Sequence, residues 1–157
     1  MTVITPAPSG HGALRRGRYS EPGRVYHLTS GTHDRRSVFS DHRAAWAACR
    51  SFHDSRLLRD TRLLAWVLMP DHAHWLLELG VACPLPKVVE LLKSASARHA
   101  NRALGRCGPL WARAYHDRAL RYEDDVIQTA RYILGNPLRA GLVQRIGDYP
   151  YWNAIWL

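Results

Sequence analysis

The sequence predicts an α+β fold, an antiparallel sheet with helices packed on it, and three observations lead there. Apolar periods of two and of 3.6 alternate along the chain in the order βαββαβα. Pro70-Asp71 separates two apolar runs closely enough to make them a hairpin. The helical segments each carry an apolar stripe on one side only, as helices lying on a sheet must. A hairpin between two βα pieces is the pattern of an α+β plait.

Each element has its own justification. Residues 1–23 hold Pro6, Pro8, Gly10, Gly12, Gly17, Pro22 and Gly23 with Arg15, Arg16 and Arg18, and read as a flexible basic arm. Residues 24–157 read as one domain. Val25–Thr29 has strand composition. Ser40 or Asp41 is placed to cap a helix through about Leu58, with Ala45, Cys49, Phe52 on one face. Leu63–Met69 and Ala73–Leu79 form the hairpin. Pro84 to Leu104 is a second helix, with Val88, Leu91, Leu92 and Ala95 inward and Gly105 ending it. Leu110–Leu120 is extended in character. Glu123-Asp124-Asp125 supplies an acidic first turn for a third helix ending near Gly135.

Composition narrows the function. The chain has 157 residues, 22 Lys plus Arg against 13 Asp plus Glu, and a net charge of +9. Arginine carries that excess, since Lys87 and Lys93 are the only lysines. A planar guanidinium forks onto phosphate and stacks on aromatic rings, so nucleic acid is favoured over a merely solubilising surface. Cys49, Cys83 and Cys107 are odd in number and lack CxxC spacing, which argues against a disulfide framework or a cysteine metal site. The N-terminus predicts no signal peptide, no apolar run is long enough to span a membrane, and a cytoplasmic, nucleoid-associated protein is expected.

Two features carry chemistry. His72 and His74 stand one residue apart at the start of a strand, so both imidazoles point to one face. Neutral imidazole is a common metal ligand, although two histidines on a half-wet sheet face are the plainer reading. The third helix buries Val126, Ile127, Ala130, Ile133 and Leu134, and Tyr132 falls roughly 160–200° from the centre of that stripe at 100° per residue. Tyr132 is therefore exposed or faces a site, with Gln128 one turn earlier on its face. Asn136, four residues beyond Tyr132, is either the cap of a short Pro137 helix closed by Gly141 or an amide ligand on the tyrosine's face. Asp71 is a turn residue or the group that orients a ligand histidine. Trp46 and Trp66 sit in apolar contexts and are expected in the core, and the remaining histidines, His27 among them, have no telling partner spacing.

Tyr26-His27-Leu28-Thr29, Met69-Pro70-Asp71-His72-Ala73-His74, Lys93-Ser94, Trp111, Asp117 to Arg121, Tyr132 to Val143 and Asp148-Tyr149-Pro150 together resemble the REP-associated tyrosine transposases. These are single-tyrosine members of the HUH endonuclease superfamily, and the resemblance runs from about residue 24 to 152. It implies a ferredoxin-like HUH plait, His72 and His74 as metal ligands, and Tyr132 as nucleophile. In related insertion-sequence transposases a glutamine completes the metal site where this chain has Asn136. Mg²⁺ or Mn²⁺ is the implied metal, and single-stranded or hairpin DNA the implied partner. The expected protein is a monomer or homodimer that nicks and rejoins single strands beside REP-like hairpins through a 5′-phosphotyrosine. A domesticated hairpin-binding protein with little catalysis and a metal-dependent RNA nuclease are the other readings; intact His72, His74 and Tyr132 favour the enzyme. DNA contacts are expected from Arg15, Arg16, Arg18, Lys93, Arg98, Arg113, Arg118 and Arg121; Lys87, Ser94, Arg98 and Asn101 align opposite much of the apolar stripe of the second helix, as an ordinary solvated face or a DNA-facing row.

Overall fold

The computed structural model describes residues 20–121 and 124–157. Five strands form one antiparallel sheet in the order β4-β1-β3-β2-β5: β1 Val25–Gly31, β2 Arg62–Leu68, β3 His72–Glu78, β4 His116–Ala119 and β5 Trp152–Ala154. The helices are α1 His42–Phe52, α2 Leu85–Leu104, α3 Val126–Leu134 and the short α4 Asn136–Arg139. The expected α+β architecture and the order βαββαβα are present, followed by α4, at the short Pro137 helix offered as one reading of that segment, and by β5, which the sequence reading did not contain. β5 adds to the edge of β2 by pairing Ala154 with Ala65 and Trp152 with Val67. Tyr149 ties the approach to β5 into the core by donating its hydroxyl to the Leu68 carbonyl at 2.6 Å.

Alternation along β1 and β3 decides what each sheet face does. Tyr26, Leu28, Ala73, Trp75 and Leu77 point to the face covered by α1 and α2, and are buried there with Ala45, Cys49, Val88 and Leu92. The opposite face bears Leu64, Val67 and Leu76, which meet Ala130 and Ile133 of α3. Because α3 packs over β2, the β1–β3 side of that face is left for polar side chains. Burial of about 25 cal/mol per Å² of apolar surface holds both layers to the sheet, so period-two alternation fixes which residues end up beside α3.

The hairpin forms as expected, with Leu68 opposite Ala73 and the Met69 N–H donating to the His72 carbonyl at 2.8 Å across Pro70-Asp71. Gly105 ends α2 in a left-handed conformation at φ 60°, which only glycine adopts without steric cost. Other expectations need correction. Asp41 caps α1, but the helix stops at Phe52 rather than near Leu58, because Asp54 turns the chain by accepting the Arg56 N–H. Trp46 is half exposed: it stacks on His42 on the outward side of α1, while Ala45, Cys49 and Phe52 fill the inward side. Asp125 is the N-cap of α3, accepting from the Ile127 and Gln128 N–H groups, so no acidic residue stands inside its first turn; Glu123 lies outside the described residues. Ile127 is 42% exposed, since a helix resting on the one strand β2 buries a narrower stripe than predicted. No helix among the described residues is long and apolar enough to cross a membrane.

Candidate active site

The paired strands assemble the histidines. Thr29 lies opposite His74 and Gly31 opposite His72 in the β1–β3 register, so His27, Thr29, His72 and His74 share the sheet face beside α3. The His72 and His74 rings stand edge to face with centroids 5.0 Å apart. Asp71 Oδ1 lies 2.7 Å from His72 Nδ1, and its Oδ2 lies 3.1 Å from the Arg35 guanidinium. A carboxylate only accepts, so the His72 proton sits on Nδ1 and the lone pair on Nε2. His74 Nδ1 lies 3.0 Å from both His27 Nε2 and Thr29 Oγ1, which leaves Nε2 as its outward nitrogen too.

Electrostatics keep two of these rings neutral. Burial, then the charge of Arg118, lowers the His27 pKa to about 4. Burial, helped by electrostatic coupling to the neighbouring His72 and His27 rings and by the positive charge of Arg139, lowers that of His74 to about 3. Asp71 is pushed up by its partial burial, but the hydrogen bond and electrostatic pull of the His72 N–H, with the positive charge of Arg35, prevail and hold it below the ordinary carboxylate value. A neutral imidazole presents the lone pair that metal coordination requires.

Tyr132 projects from α3 with 64% exposure, away from the buried Ala130 and Ile133, as its angular position predicts. It lines an open cleft of about 510 Å³ with His27, Arg118, Gln128, Thr129, Asp124 and Asp125. The Arg139 guanidinium sits 4.1 Å above the tyrosine ring and donates to the Tyr132 carbonyl. Such cation–π stacking is worth about 0.5–1 kcal/mol at an exposed site. Gly135 makes room for it, because a Cβ there would lie 2.6 Å from Arg139 Nη1.

Asn136 is the first residue of α4 and Gly135 its cap, so the capping role offered for Asn136 is not the one found. Its Nδ2 instead donates to the Ile133 carbonyl at 2.7 Å, closing the end of α3 and leaving Oδ1 as the group able to accept. Among the described residues, no three His, Cys, Asp or Glu side chains converge as a metal-binding group. The neighbouring imidazoles of His72 and His74 are donors that suit a borderline divalent ion, while the Asn136 side chain is engaged at the end of α3.

The predicted cationic residues separate. Arg118 is at the cleft, 3.4 Å from Asp124. Arg121 lines another cleft, with Glu21 and Arg24. Lys93 donates to the Ala112 and Arg113 carbonyls and lines a groove with Trp111, Arg113 and Tyr115 on the α2 side. Arg98 is on the outer surface of α2. Arg15, Arg16 and Arg18 lie outside the described residues. Sequence reasoning missed His27, Thr29 and Arg139. His27 and Thr29, polar residues at i and i+2 alternating with Tyr26 and Leu28, were the available signal for the first two, because that spacing puts them on one face of β1.

With this geometry in hand, comparison with known proteins identifies the family. The profile described as "Transposase IS200 like" matches residues 23–136, and the chain belongs to that family of transposases. The structure of a REP-associated tyrosine transposase bound to a REP hairpin is similar with a TM-score of 0.64, at 23% identity over 86% of this chain and 79% of that one. A candidate transposase from Deinococcus radiodurans R1 is 26% identical over 75% of this chain and 94% of that one, with a TM-score of 0.45. No curated protein sequence matches.

Proposed function

We propose that this transposase nicks and rejoins single-stranded DNA beside hairpins, with Tyr132 as nucleophile on an HUH-type site. The observation that carries the reading is the shared cleft: exposed Tyr132 lines it together with His27, which is hydrogen-bonded to His74. The hairpin bound by the REP-associated relative supports the choice of substrate, and the basic excess suits a phosphate backbone. Such a protein works in the cytoplasm on nucleoid DNA, as a monomer or homodimer.

The Tyr132 hydroxyl attacks the scissile phosphorus, forming the phosphotyrosine P–O bond as the P–O3′ bond breaks. The phenolic proton passes to solvent, and the departing O3′ takes up a proton to become a free 3′-hydroxyl. One phosphodiester replaces another, so rejoining to a second 3′-hydroxyl needs no nucleotide cofactor. Arg139 restrains the attacking ring by stacking on it, which limits the freedom lost on reaching the transition state. Arg118 offers a guanidinium to phosphate oxygens at the cleft. Asp71 orients His72, while His27 and Thr29 orient His74, each fixing the outward nitrogen. His72, His74 and the Asn136 amide oxygen would hold Mg²⁺ or Mn²⁺, whose chemistry is polarisation of the scissile phosphate and neutralisation of charge in the transition state.

The test is incubation of the protein with a labelled hairpin bearing a single-stranded flank, followed by a denaturing gel. A shifted, protease-sensitive 5′ adduct is expected from the wild type. Tyr132→Phe should give none while binding the hairpin within a few-fold. A free 5′-phosphate formed equally by both proteins refutes the tyrosine mechanism.

A further inference from the structure

The chain between β1 and α1 brackets the turn that carries His72. The Thr32 N–H donates to the Asp71 carbonyl at 2.8 Å, and the Phe39 N–H donates to the Pro70 carbonyl at 3.0 Å. The His33 N–H donates to the Leu110 carbonyl, and the buried Phe39 ring packs against Trp111. Residues 32–39 are thus pinned at both ends, to the turn and to the segment before β4. Between those pins the backbone is strained. Asp34 (φ 55°, ψ 23°) and Arg35 (φ 53°) are successive non-glycine residues in the left-handed region. Aspartate visits that region readily, whereas arginine does so against a steric cost. Strain of this kind persists only where the surrounding contacts over-determine it.

What the strain secures is the path of one side chain. Arg35 runs back past Gly31, the residue directly opposite His72, and places Nη2 3.1 Å from Asp71 Oδ2. A Cβ on Gly31 would lie 2.9 Å from Arg35 Nη1 and 3.2 Å from its Cδ, so the path exists because residue 31 is glycine. The other carboxylate oxygen, Oδ1, lies 2.7 Å from His72 Nδ1. With both oxygens held, the carboxylate cannot rotate, and the ring it holds keeps one orientation and one tautomer. Stability is a poor reason for the arrangement. The Arg35 side chain is 63% exposed, and an exposed ion pair contributes too little to offset a strained backbone.

We propose that Arg35 is a positioning residue for His72: acting through Asp71, it fixes the tautomer and ring orientation in which Nε2 presents its lone pair. The proposal rests on the reading of His72 as a metal ligand given under Proposed function. Charge alone predicts the opposite effect. A guanidinium near a divalent cation repels it, so removing that charge should tighten metal binding. Positioning requires that removing it should weaken binding.

Mn²⁺ binding to the DNA-free full chain, read from the EPR signal of the free ion, separates the two. Arg35→Ala should raise the Mn²⁺ Kd by about tenfold or more. Arg35→Lys should stay within a few-fold of the wild type, because an ammonium can reach the same oxygen. Arg35→Gly relieves the backbone, so it should melt no lower than the wild type in EDTA yet bind Mn²⁺ as weakly as Arg35→Ala. In an Asp71→Ala background, Arg35→Ala should have no further effect. A Kd for Arg35→Ala equal to or below that of the wild type overturns the proposal. Wild-type affinity in Arg35→Gly, or an equal loss in the Asp71→Ala background, also overturns it. Long-range proton–nitrogen NMR in EDTA at about pH 8, where a free imidazole is neutral, reads the His72 ring directly. The wild type should hold the Nδ1–H tautomer and Arg35→Ala should show a mixture; an unchanged tautomer counts against the proposal. A wild type that binds no more Mn²⁺ than His72→Ala would refute the metal reading instead, and the ring measurement, made without metal, would still decide whether Arg35 positions His72.

Discussion

Acidification in the absence of metal should destabilise the protein well above the carboxylate range, and His27 with His74 set the size of the effect. Both have folded pKa values, about 4 and about 3, below the ordinary 6.5. The unfolded chain therefore takes up protons between pH 6.5 and those values while the folded one does not, so stability falls as pH falls through that window. At pH 5.5 each unfolded imidazole is about ten-to-one protonated, which favours unfolding by about 1.4 kcal/mol per histidine. The rings share one hydrogen bond, so the joint effect lies between about 1.4 and 2.8 kcal/mol. For a chain of this length that lowers the melting temperature by roughly 3 to 10 °C between pH 7.5 and 5.5. Thermal melts followed by tryptophan fluorescence in EDTA measure it, with the His27→Gln, His74→Gln double variant as reference. The wild type should lose stability on acidification and the double variant should lose much less. Equal melting temperatures for the wild type at the two pH values, or parallel declines in the two proteins, would refute the claim that these rings are held neutral.

Three other perturbations test the site. His72→Ala and His74→Ala should each abolish cleavage, as should EDTA, with Mg²⁺ or Mn²⁺ restoring only the wild type; full cleavage by either variant without added metal would sink the metal assignment. Asn136→Ala loses the bond to the Ile133 carbonyl, so about 1 kcal/mol of stability should go. The metal concentration for half activity should also rise by about tenfold or more, and an unchanged metal dependence would limit Asn136 to closing α3. Gly135→Ala places a methyl where the Arg139 guanidinium now stands, at a backbone φ of −74° that alanine tolerates. Adduct formation should slow by about tenfold as Arg139 leaves the Tyr132 ring, with stability unchanged or slightly raised; a cleavage rate equal to that of the wild type would remove Arg139 from the mechanism.

What was legible in the sequence follows from local periodicity. Residues one and two positions apart fix a strand face, so the sequence alone determined that His72 and His74 would be neighbours on one side of a strand. The helical angle likewise put Tyr132 off the stripe that holds Ala130 and Ile133, and its exposure agrees. Pro70-Asp71 marked the hairpin, and Gly105 the end of α2. Where a helix starts or stops was less legible, because Asp125 at the start of α3 and Asp54 beyond the end of α1 act through hydrogen bonds to particular backbone N–H groups, which periodicity does not encode.

Tertiary structure decided the contacts between segments distant in sequence. His27 carries no local signal that it belongs with His74; the antiparallel register of β1 against β3 brings their ring nitrogens to 3.0 Å. The same holds for β5, whose short run becomes a strand only because the edge of β2 offers unpaired backbone groups. Arg50 and Arg102 meet because α1 and α2 pack side by side, and Arg139 reaches Tyr132 because α4 follows α3 with only Gly135 between them. Side-chain periodicity is a property of neighbouring residues and can be read along the chain. Register, helix pairing and the meeting of charges depend on which apolar faces are buried together, a choice made by the whole core at once.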